Sequence, residues 1–74
     1  MKFSILLVSH EFEGKVSGSW VQNHVGTLES AREVADKYQN NPYAQKYGTK
    51  YAVVDEVPSP VPMMNLWYDR TLLA

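Results

Sequence analysis

At 74 residues with 45% of them apolar, the chain has room for one domain and enough hydrophobic content to fold rather than stay disordered. Its formal net charge of −1 offers no general attraction for nucleic acid or an anionic membrane. The absence of cysteine excludes disulfides, thiolate zinc sites, iron–sulfur clusters and cysteine nucleophiles, which leaves packing or self-association to stabilise so small a body.

The chain opens with Met1-Lys2 and a short apolar run, FSILLV, that Ser9, His10 and Glu11 interrupt. The run is too short for a secretory leader and no small-residue cleavage site follows, so it reads as part of the mature fold. No stretch approaches the roughly 18 to 20 apolar residues that span a bilayer. The expectation is a soluble, cytoplasmic protein. Residues 2–9 predict a strand with Phe3, Ile5 and Leu7 on one face and Ser4, Leu6 and Val8 on the other. Both faces are largely apolar, which suits a central strand. HEFEGK then reads as a turn, and VSGSWVQ as a weaker strand, with Gly18 marking a bulge, that pairs with the first as a hairpin.

Thr27 is a good helix N-cap, and Leu28, Ala31, Val34, Ala35 and Tyr38 recur at helical period beyond it. Glu29 suits the positive end of the helix dipole, and Glu33 to Lys37 is a favourable i, i+4 pair. Asn40-Asn41-Pro42 ends this helix. Asn41 then caps a short second one, PYAQKY, with Pro42 at its first position and Gly48 past its end. In TKYAVVDEV, residues 49–57, Tyr51, Val53, Asp55 and Val57 alternate with Ala52, Val54 and Glu56, a strand expected to leave the core after Val54. Pro58, Pro60 and Pro62 favour an extended spacer. The expectation is an α+β fold: a small, mostly antiparallel sheet in ββαβ order, with or without a C-terminal strand, and one main helix on one face. Residues 1–57 form the domain, 58–62 the spacer and 63–74 an apolar C-terminal segment.

No catalytic, cofactor or metal site emerges. His10, Glu11 and His24 lie in expected loops without ligand spacing, so the histidines read as surface residues. Ser9, His10 and Asp55 can be written as a triad, but neither a nucleophile elbow nor an oxyanion signal accompanies them. Asp55 and Glu56 alternate across their strand instead of converging. The glycines at 14, 18, 26 and 48 match no phosphate-binding pattern. In YAQKYGTKY, Tyr43, Tyr47 and Tyr51 are interleaved with Lys46 and Lys50, the combination that stacks and steers single-stranded nucleic acid. The plainer expectation is that Tyr43 and Tyr47, one helical turn apart, pack on the sheet and leave the lysines in water.

The C-terminal segment carries Met63, Met64, Leu66, Trp67, Tyr68, Arg70, Leu72 and Leu73. It either folds back as a last strand that completes a small core or docks on a twin subunit or another protein, since Trp, Tyr, Met and Arg are enriched at interfaces. With Trp20, these residues are the expected contact set. A short apolar first strand, a Trp-containing second, the helix GTLESAREVADKY and the strand KYAVV together resemble small uncharacterised bacteriophage-encoded proteins. Thr27, Leu28, Glu29, Ala31, Arg32, Tyr51, Ala52, Val53 and Val54 carry the resemblance, which ends before Pro58. It implies an accessory product that binds a host or viral protein, not an enzyme, and that acts in the host cytoplasm; the apolar C-terminal segment adds a twin subunit, in a homodimer, as the other expected partner. The alternative is a single-stranded nucleic-acid-binding module using Tyr43–Tyr51. No cofactor is expected.

Overall fold

A computed structural model describes residues 1–58 and 68–74. Two long strands come first, β1 (Lys2–Phe12) and β2 (Lys15–Val25), followed by helix α1 (Leu28–Gln39), the short helix α2 (Pro42–Tyr47), β3 (Lys50–Asp55) and β4 (Tyr68–Thr71). All pairings are antiparallel, in the order β3-β1-β2-β4, and the class is α+β. β1 is central, as its two apolar faces require.

The alternation read in β1 and β3 sorts the core into two clusters. On one face Phe3, Ile5 and Val53 pack against Ala31 and Ala35, the small residues that let α1 approach the sheet. On the other, Leu6, Ala52 and Val54 meet Val16 and Val57, with Trp20, Tyr68 and Leu72 around them. Among the described residues no helix covers this second cluster. Instead the sheet curls until its outer strands meet: beyond β4, Leu72 bridges to Val54, and Leu73 and Ala74 exchange backbone hydrogen bonds with Val53.

Three local expectations change. The hairpin strands run further than the charge pattern suggested, because pairing continues to Phe12 and Lys15 and the turn shrinks to Glu13-Gly14. Both turn residues have positive φ, 50° and 79°, the geometry that matches strand twist and that glycine tolerates best. Gly18 borders a bulge but does not supply its extra residue, which is Ser9 on β1, skipped between the pairing of Val8 with Gly18 and that of His10 with Ser17. The pairing shifts fall between Ile5 and Leu6 and between Val8 and His10, and a Cβ on Gly18 would lie 1.9 Å from the Leu7 carbonyl oxygen, so the position serves close backbone approach.

The third change concerns the end of β3. Asp55 is exposed, yet the chain does not leave the core after Val54, because Val57 returns to full burial. The anchor is Ser4, fully buried among apolar neighbours on the second face. Its hydroxyl accepts the Val57 N–H at 2.8 Å and donates to Asn23 Oδ1 at 2.5 Å, so no polar group there is left unpaired.

Candidate interaction surface

Of the expected contact residues, Met63, Met64, Leu66 and Trp67 lie outside the described residues, as does most of the expected proline spacer. Tyr68 and Leu72 pack against the second core cluster. Arg70 sits in β4 opposite Val16, and Leu73 donates its N–H to the Val53 carbonyl. Trp20 packs on the same cluster, and its indole N–H donates to Asn23 Oδ1 at 2.8 Å. The polar end of the indole therefore already has its partner within the domain.

The expected histidine loops are strand positions. His24 lies opposite Phe3 and His10 opposite Ser17, in different parts of the hairpin. His24 Nε2 is 2.8 Å from Ser30 Oγ, which itself forms the reciprocal cap of α1 with Thr27. Among the described residues no group of three or more His, Asp or Glu side chains is placed to hold a metal ion. Asp55 pairs with Phe3 while Ser9 and His10 occupy the other half of β1, so the strand pairing does not assemble a triad. A recess of about 190 Å³ lined by Lys15, Asp55, Asp69, Arg70 and Thr71 is smaller than the roughly 300 Å³ where small-molecule pockets begin.

The tyrosines part ways. Tyr51 stacks on Tyr38, centroids 5.1 Å apart, against the helix-side core. Tyr43 and Tyr47 do not pack on the sheet as expected: they are 66% and 61% exposed. Their α2 buries only Ala44, and the sheet face is already occupied by the other two rings. Tyr43 and Tyr47 pack on each other instead, 4.6 Å between centroids and tilted by 49°, with the Lys46 ammonium 5.3 Å from the centre of the Tyr47 ring.

The element presenting this pair is held at both ends. The Asn41 side chain accepts from the Tyr43 N–H, and Gly48 closes the helix at φ 65°. The Gln39 side chain brackets it, donating to the Thr49 carbonyl at 2.6 Å and accepting from the Tyr51 N–H at 3.2 Å. Beside the cap, a groove of about 430 Å³ runs between α1 and β2, lined by Gln22, Val34, Lys37, Tyr38 and Asn41. Tyr38 donates its hydroxyl hydrogen to Gln22 Oε1, so the ring contributes apolar wall and its polar end is satisfied. Sequence reasoning named the tyrosines but not the groove; the i, i+4 spacing of Val34 and Tyr38 was its only signal.

No protein-family model, curated protein or solved structure matches the chain. No helix among the described residues is long and apolar enough to cross a membrane.

Proposed function

We propose that this chain is a small, non-enzymatic protein-interaction module that binds another protein or a second copy of itself. Tyr43 and Tyr47 carry this reading. Two large rings on a braced six-residue helix, more than half exposed, supply amphipathic contact area at low entropic cost, as interface hot spots do. The resemblance to phage accessory proteins points to a host protein as partner. A photo-crosslinker at position 43 of the intact chain tests it: one partner should be captured, and Tyr47→Ser should abolish capture while leaving the circular dichroism spectrum unchanged. Capture that survives Tyr47→Ser would move the interface elsewhere, first to Trp20 and the C-terminal segment.

The second reading, a single-stranded nucleic-acid-binding module using Tyr43–Tyr51, draws support from the same exposed rings and from Lys46 beside them. Binding of oligothymidylate that weakens steeply with salt and is lost in Tyr47→Ser would favour it over a protein partner.

A further inference from the structure

From Lys37 to Val54 the sequence contains three lysines and no acidic residue, although the whole chain carries eight acidic side chains and a net charge of −1. This stretch is the end of α1, all of α2 and most of β3, so its lysines fall on and to either side of the helix that carries the tyrosine pair. Lys46 sits beside Tyr47, Lys50 opens β3 just past the Gly48 cap, and Lys37 borders the groove that reaches Asn41 at the other end of α2. All three lysines are exposed.

On the protein-interaction reading above, we infer that the segment docking here is an acidic peptide with an apolar anchor. Lys46 and Lys50 attract carboxylates, Lys37 does so between the exposed Glu33 and Asp36 of α1, and the chain's net negative charge disfavours long polyanionic partners. The groove wall formed by Val34 and Tyr38 accepts the anchor, Lys37 at its rim meets a neighbouring carboxylate, and the tyrosine rings cover the segment beyond Asn41. Nucleic acid fits less well: the two rings touch each other and are tilted by 49°, so they offer neither a slot for a base nor one flat platform for two.

The test uses the intact chain, isotope-labelled, titrated at low salt with four probes. These are a peptide alternating Asp and Glu with Leu and Phe, its Asn and Gln counterpart, its Lys counterpart, and oligothymidylate. The acidic peptide should shift the amide resonances of Lys37, Tyr43, Lys46 and Tyr47, and its affinity should fall at least about fivefold between about 20 and 200 mM salt as screening shortens. Lys46→Gln with Lys50→Gln, both on exposed positions, should weaken it by a similar factor. Equal binding of the Asn and Gln peptide at these residues would overturn the charge assignment and leave the protein-interaction reading standing. Binding of oligothymidylate alone, or of no probe at these residues, would overturn both.

Discussion

The backbone N–H of Val53 donates to the carbonyl of Ala74 at 2.8 Å, and the Val53 carbonyl accepts the N–H of Leu73 at 2.9 Å. Val53 is fully buried at the centre of the helix-side core, so this exchange covers an edge of β3 that would otherwise lie open. Deleting residues 72–74 removes those bonds, the Leu72 bond to the Gly14 carbonyl and the Leu72 side chain. The expected loss is about 3–5 kcal/mol, against the roughly 4–11 kcal/mol that a chain of this size has in total. A urea midpoint unchanged by the deletion would show that the closure contributes nothing.

Gly18→Ala should cost about 3 kcal/mol or more, because the new methyl group would lie 1.9 Å from a backbone oxygen, not from a side chain that could turn away. Gly14→Ala is the control: nothing lies near its Cβ, and only the positive φ opposes it, for about 1 kcal/mol. Thermal melts of the two variants should therefore separate by several degrees. Equal melting temperatures would remove the steric account.

Ser4→Ala leaves the Val57 N–H buried without an acceptor and should destabilise by about 1–3 kcal/mol. Hydrogen exchange supplies the local check. The Val57 amide should exchange faster than the loss of global stability alone predicts, while amides in α1 follow the global value.

Replacing both exposed tyrosines, Tyr43→Ser with Tyr47→Ser, should change stability by no more than about 0.5 kcal/mol. Tyr51→Ser should cost about 2 kcal/mol, since it removes a core-packed ring and its stacking on Tyr38. Chemical denaturation of both variants distinguishes a display surface from a structural one. A large loss in the first would make the pair part of the fold and remove the support it gives to binding.

Thr27→Ala should cost about 1 kcal/mol through loss of the acceptor for the Ser30 N–H. Circular dichroism during a urea titration should show the midpoint shift without a change in slope.

Where periodicity and end chemistry acted locally, the sequence was legible. Thr27, Asn41, Pro42 and Gly48 placed both helices, and the alternation of Phe3 and Ile5 against Ser4 and Leu6 placed two faces on β1. The hairpin was legible in kind but not in extent, because exposed His10, Glu11 and Phe12 look like loop residues unless their cross-strand partners are known. Closure of the sheet between residues 72–74 and β3 depends on backbone pairing between distant segments, and neither composition nor period encodes it. The tyrosine surface illustrates the same limit. Spacing put Tyr43 and Tyr47 on one side of a helix, but it is Tyr38 and Tyr51 that pack on the sheet-side core while α2 turns its pair to solvent, which depends on how α2 is placed in the fold.

The bond between Val53 and Ala74 also sets an order of events during synthesis. β3 is synthesised about twenty residues ahead of the segment that seals its edge, roughly one to four seconds earlier at ordinary elongation rates. Until that segment is in place, Tyr51 to Val54 form an apolar strand whose outer side is open to pairing with a second copy of the chain. Sealing of the β3 edge is thus a late step in folding, however early the helix and hairpin form.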